Sequence, residues 1–188
     1  MFLHPVVGII AASDIRIAAV IICDGWCHDE VVSVALIGDE VVEHQRKECV
    51  LCDFKMIAFD AHKDDVDKGG YPYVMHPFYL AFRMDDEDSV CVALLHDVVE
   101  DHGDKYPMSF LEKEFGETVI TALKLLTHDP AVPYMDYVRE IGKNEVARKV
   151  KIADLMHNSD ASRLDGKKSK KYELYQEALA YLRGLQGK

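Results

Sequence analysis

Residues 53–188 are predicted to form an all-α bundle. From position 53 onward apolar side chains recur with the helical period, capping residues punctuate them, and one run is apolar on nearly every side. Residues 1–52 have another character: 6–12, 17–23 and 31–37 are short runs rich in Val and Ile, separated by polar or Gly-containing turns. They read as short strands or buried irregular segments. The boundary falls near residue 52, making 1–52 an extension and 53–188 the principal domain, and 188 residues suffice for one domain plus a small appendage.

Asp53 is placed as the N-cap of a helix with Phe54, Ile57, Ala58 and Ala61 on one face, stopping before Gly69-Gly70. His76-Pro77 puts Pro at a first helical position and holds His76 extended at the mouth of a helix over 77–84. The acidic turn 85–88 suits the positive end of the next helix, which runs through Val90-Cys91-Val92-Ala93-Leu94-Leu95 into His96 and Asp97. Being apolar all round, that helix is expected at the centre, with Cys91 in the core.

Ser109 and Glu112 have the spacing of a capping box ahead of Leu111 and Phe115. After Gly116 a further run carries Val119, Ile120, Leu123 and Leu126. Pro133 opens a short helix whose Tyr134, Tyr137, Val138 and Ile141 share a face, and Asn144 caps a helix containing Val146, Val150, Ala153 and Asp154. A last helix is expected over 169–183, with Tyr172, Tyr175, Leu179 and Leu182 in register.

The formal net charge of -11 argues against broad electrostatic adhesion to nucleic acid or to an anionic membrane. The charge is uneven: positions 139–171 hold ten Lys or Arg against five Asp or Glu, so an anionic small molecule would still meet a positive wall. Lys167, Lys168, Lys170 and Lys171 read as a solvated helix start. Five cysteines and an N-terminus without a basic region point away from a secretory signal and toward the cytoplasm, and no apolar stretch reaches the 18 residues of a membrane span. The oligomeric state is not legible.

The chemistry is concentrated in His96-Asp97-Val98-Val99-Glu100-Asp101, polar groups at the end of a helix built for burial. Left unpaired there, each would cost several kcal/mol, on the order of 2–7, so a partner is required. One cation would neutralise the set, and upstream His76 and downstream Asp154 supply two further ligands. Two imidazoles and two carboxylates suit manganese, iron or a similar divalent ion. Such an ion lowers the pKa of water, and Glu100 or Asp101 would orient that water or move its proton, which makes a hydrolase.

His76, the pair His96-Asp97 and Asp154 reproduce the H...HD...D signature of the HD superfamily. Gly-Tyr-Pro-Tyr-Val-Met-His-Pro (70–77), Ala-Leu-Leu-His-Asp-Val-Val-Glu-Asp (93–101) and Val-Lys-Ile-Ala-Asp-Leu-Met-His-Asn (150–158) resemble the hydrolase domain of the RelA/SpoT alarmone enzymes. The likeness covers about residues 53–188 and implies an HD-domain helical bundle. It also implies manganese-dependent hydrolysis of the 3′-diphosphate of ppGpp or pppGpp, with Glu100 and Asp101 acting on the water. By the same matching Asn158 contacts the nucleotide, Lys68 lies near the base and Lys151 near the phosphates.

One stretch departs from the family's Arg-Lys-Ser-Gly-acid-Pro-Tyr: here it reads Asp67-Lys68-Gly69-Gly70-Tyr71-Pro72-Tyr73, without the Arg that packs on guanine and a nearby Ser. A second reading is therefore an HD phosphatase acting on a nucleoside monophosphate or NADPH, and a third is a nucleotide-binding module without turnover. In the extension, Cys23, Cys27, Cys49 and Cys52 have the loose spacing of a zinc ribbon, although their apolar surroundings favour ordinary buried thiols. His28-Asp29 lacks the helix and the downstream acids and reads as surface.

Overall fold

The computed structural model describes residues 36–37, 40–41, 50–164, 166 and 168–185. The chain divides into two compact units, Met1–Asp53 and Phe54–Lys188. In the first, the described residues form two-residue strands β1 (Leu36–Ile37) and β2 (Glu40–Val41), paired antiparallel with Leu36 opposite Val41. The apolar runs at 6–12 and 17–23, together with Cys23, Cys27, His28, Asp29 and Cys49, lie outside the described residues, as does the side chain of Cys52.

From residue 50 the structure is helical: α1 (Val50–His62), α2 (Met75–Ala81), α3 (Glu87–Leu95), α4 (Val98–His102), α5 (Met108–Glu114), α6 (Glu117–Leu126), α7 (Tyr134–Ile141), α8 (Glu145–Asn158), a 3-10 turn (Ala161–Leu164) and α9 (Tyr172–Arg183). No helix among the described residues is long and apolar enough to cross a membrane.

Helix α3 is central. It packs against α2, α6 and α8, and every residue from Ser89 to Leu95 is buried. Each Val or Leu so enclosed stabilises the fold by roughly 1.5–3 kcal/mol, so this one helix supplies much of the core. Its start is set by Asp86, whose carboxylate accepts hydrogen bonds from the Ser89 backbone N–H and hydroxyl, both at 2.8 Å. Asn144 does the same for α8, accepting from Ala147 N at 2.9 Å.

Several expected boundaries move. Helix α1 begins at Val50, so Asp53 sits in its first turn rather than at the cap, where an acid still complements the helix dipole. His76 is not extended: it is the second residue of α2, and Pro77 the third. A proline there costs no hydrogen bond, because the first amide groups of a helix have no intrahelical partner. Ser109 and Glu112 form no capping box, since Pro107, in extended conformation, is the N-cap of α5 and leaves Ser109 inside the helix. The last helix starts at Tyr172, three residues later than its polar lead-in suggested. The expected single helix through His96-Asp97 is interrupted there, and the chain turns before resuming as α4.

Candidate metal centre

Two helices and one turn deliver the polar cluster. His76 comes from α2, His96 and Asp97 from the turn between α3 and α4, and Asp154 from α8; His76, His96 and Asp154 are buried. His76, His96 and Asp97 each offer a ligand atom, all within 4.8 Å of one another. Asp97 Oδ2 lies 3.0 Å from His96 Nε2 and 3.6 Å from His76 Nε2, and Asp154 Oδ1 lies 3.3 Å from His76 Nε2. Asp154 thus stands beside that mutually close set, held by Lys151 Nζ on Oδ2 at 2.9 Å and by Asn158 Nδ2 on Oδ1 at 2.5 Å.

The hydrogen-bond partners assign the tautomers. Ala93 O can only accept, so the His96 Nδ1 that faces it at 2.9 Å carries the proton. For His76 the chain is longer. Arg163, a donor only, points Nη1 at His157 Nδ1 from 3.0 Å, so that nitrogen is an acceptor, and His76 Nδ1, 2.6 Å away, donates to it. Each of these imidazoles, when neutral, therefore turns the lone pair of Nε2 toward carboxylate oxygen. Neither Nε2 has a hydrogen-bond partner, although both are buried.

Lone pair facing carboxylate is tolerable only with positive charge between them. Burial pushes the His96 pKa down, yet the adjacent Asp97 outweighs it and lifts the value to about 9. Burial pushes Asp97 and Asp154 up, but His96 holds Asp97, and Lys151 with His76 holds Asp154, below the usual carboxylate range. Two imidazole nitrogens with carboxylate oxygens in a dry cleft are a donor set that fits a divalent ion of the manganese, iron or zinc type. The described residues thus contain a group able to bind a metal.

Glu100 and Asp101 lie on α4, one turn past Asp97, both at the surface; Asp101 N donates to Asp97 O at 2.9 Å. Partial burial and the nearby Asp97 and Glu100 carboxylates push Asp101 up to about 6. Glu100 Oε2 accepts from His128 N at 3.3 Å. Lys151 is protonated despite its burial because Asp154 holds its charge. Lys68 is exposed in the 67–71 loop and is not joined to the cluster.

That loop is tightly drawn. Asp67 Oδ1 accepts from Gly69 N at 2.8 Å and Tyr71 N at 3.0 Å, while Oδ2 takes Arg163 Nη2 at 2.7 Å. Gly70 has φ +81, the left-handed region that favours glycine, and a Cβ at Gly69 would come within 2.8 Å of the carbonyl oxygen of Arg163. The glycine at 69 thus follows from the close approach of the 163 backbone.

Four residues around the centre were missed in the sequence. Tyr73 donates its hydroxyl to Asp97 Oδ2 at 2.5 Å, His157 and Arg163 set the His76 tautomer, and Tyr79 stacks on His157 with ring centroids 4.1 Å apart. Spacing could have found two of them: Tyr73 is three residues before His76 and His157 three after Asp154, the interval that returns a side chain to the same face of a helix or turn.

Fold and cluster together define a helical unit, Phe54–Lys188, with a candidate metal centre at its heart. A solved structure of a metazoan ortholog of SpoT, described as hydrolysing ppGpp and playing a role in starvation responses, matches with a TM-score of 0.57 at 21% identity, covering 77% of this chain and 89% of that one. In sequence, the chain is 41% identical over 68 residues to the guanosine-3′,5′-bis(diphosphate) 3′-pyrophosphohydrolase of Haemophilus influenzae, which is 34% of this chain and 10% of that protein. It is 35% identical over 71 residues to the putative chloroplastic GTP diphosphokinase RSH1 of Oryza sativa subsp. japonica, 36% of this chain and 8% of that protein. The match thus spans a tenth or less of the length of these curated relatives. No family model matches the chain.

Proposed function

We propose that residues 53–188 form a metal-dependent phosphohydrolase that removes the 3′-diphosphate from ppGpp or pppGpp, with residues 1–52 as an extension outside the catalytic unit. The observation that carries this reading is the pair of buried, unpartnered Nε2 atoms of His76 and His96 facing the Asp97 carboxylate. His76, His96, Asp97 and Asp154 would hold the ion, manganese in this reading. When bound, it supplies Lewis-acid polarisation of a phosphate oxygen and a water of lowered pKa.

The remaining work falls to side chains. Glu100 and Asp101 sit at the surface beside Asp97, and Asp101, held up to about 6, can accept a proton from the attacking water near neutral pH and give it to the departing group. Lys151 uses one of its three N–H donors on Asp154 and Asn158 one of its two amide donors, so each retains a donor for a phosphate or sugar oxygen. Lys68, exposed at the loop, would reach the base. Support for the substrate comes from the activities of the Haemophilus influenzae pyrophosphohydrolase and the metazoan SpoT ortholog, which this reading carries over to the chain.

The 67–71 loop favours a second reading. Asp67 is fully engaged by Gly69, Tyr71 and Arg163 and presents an acid where the family carries its guanine-packing Arg, so another nucleotide, a nucleoside monophosphate or NADPH, is the alternative substrate. Incubating manganese-loaded protein with ppGpp, NADPH and a set of nucleoside monophosphates, and identifying the released product, separates the two. Pyrophosphate from ppGpp is expected. Orthophosphate from another nucleotide with ppGpp untouched selects the alternative, and binding of nucleotide without any product would leave only a binding module.

A further inference from the structure

A second group of possible metal ligands lies outside the centre described above. His62 closes α1, Asp65 follows in the turn, and His102 closes α4; each offers a ligand atom, and these all lie within 4.8 Å of one another. His62 Nδ1 stands 3.0 Å and His102 Nε2 2.7 Å from the same oxygen, Asp65 Oδ2. The two rings meet edge to face at 4.8 Å between centroids.

Two features set this apart from an ordinary surface hydrogen-bond pair. First, His62 is 0% exposed, so the imidazole that turns Nδ1 to Asp65 is fully enclosed. Second, two imidazoles from separate helices converge on one carboxylate oxygen, which itself remains open to solvent, with Asp65 37% and His102 24% exposed. With bonds of roughly 2.0–2.2 Å, adjacent ligands on a metal stand about 2.9–3.5 Å apart. The observed 2.7 and 3.0 Å separations need only a small side-chain adjustment to admit an ion. Burial keeps His62 neutral, and the two imidazoles hold Asp65 ionised against its own desolvation, the states that ligation requires.

We propose that His62, Asp65 and His102 form a second site for a divalent transition-metal ion, with water completing the solvent side, that clamps the end of α1 to the end of α4. Helix α4 also carries Glu100 and Asp101, so an ion here would steady the acidic pair. Tyr73 links the two sites: its ring lies 4.9 Å from that of His62, and its hydroxyl binds Asp97. The inference stands on these residues alone and is independent of the substrate assigned above.

The test is metal stoichiometry on the full chain, using cobalt or zinc alone, by elemental analysis after dialysis and by calorimetric titration. Wild type is expected to bind two equivalents, Asp65→Asn and His102→Ala one each, Asp97→Ala one, and the Asp65→Asn/Asp97→Ala double variant none. Asp65→Asn keeps an oxygen acceptor for both imidazoles, so it guards against a folding defect in His102→Ala. The metal-dependent rise in Tm should persist in Asp97→Ala and vanish in the double variant. Asp65→Asn and His102→Ala binding as much as wild type would overturn the second site, as would a single wild-type equivalent lost only in Asp97→Ala, which leaves the first centre standing. A single equivalent lost only in Asp65→Asn and His102→Ala would uphold the second site and remove the first.

Discussion

His76 and His96 owe their readiness as ligands to neighbours outside the H...HD...D signature itself. Ala93 O orients one imidazole, and Arg163 acting through His157 orients the other, so that each, when neutral, presents the lone pair of Nε2 to the same carboxylate. If Asp97 supplies the shared oxygen, Asp97→Ala abolishes turnover and removes the metal of this centre, retaining only the equivalent held by His62, Asp65 and His102. Glu100→Ala, which removes no proposed ligand, keeps the metal and lowers kcat by roughly 10²–10⁴-fold. Elemental analysis alongside product release checks both, and an Asp97→Ala variant that had lost the metal of this centre yet stayed active would sink the mechanism. His96, Asp97 and Asp154 were legible because charge inside an apolar helix demands a partner; Tyr73 and Arg163 were not, because a Tyr or Arg in a mixed sequence carries no such contradiction.

Helices position these groups through packing more than through end signals. Asn144 caps as its sequence suggests, and Asp86 of the acidic turn caps α3, but Ser109-Glu112 does not cap, because Pro107 two residues earlier already has the extended backbone of a cap. The interruption at His96-Asp97 was not legible either. A helical pattern continues through it, and only the folded chain shows the turn that lets His96 bond back to Ala93 while Asp97 faces two imidazoles. Asn144→Ala should cost about 1 kcal/mol, whereas Leu95→Ala, at a fully enclosed position, should cost about 2–5 kcal/mol. Urea melts on the two variants check the order; a larger loss from the cap would contradict the central place given to α3.

Across the molecule, excess negative charge coexists with local ion pairs that fasten distant segments. Asp60 on α1 receives Lys105 Nζ at 2.5 Å, Tyr106 OH at 2.5 Å and Lys63 Nζ at 2.9 Å, tying α1 to the segment before α5. Lys105 first, then Tyr106 and Lys63, hold the Asp60 carboxyl below the usual carboxylate range. A carboxylate whose folded pKa is depressed stabilises above its unfolded value of about 4 and loses that contribution as pH falls below it. Asp60→Asn should therefore be less stable than wild type at pH 7, with the gap closing toward pH 3; denaturant melts at both values check it, and a gap that widens in acid would be the wrong sign.

Helical class, the central run, the Asn144 cap and the polar residues that gather around His76 and His96 were readable along the chain, since burial of apolar faces and the cost of unpaired charge act on local pattern. Folding alone decided which nitrogen of each imidazole faces the centre, that Asp154 sits between His76 and Lys151, and that His62, Asp65 and His102 meet. Those outcomes depend on side chains up to 96 positions apart, as with Asp67 and Arg163, converging in space, and no periodicity encodes a contact between helices.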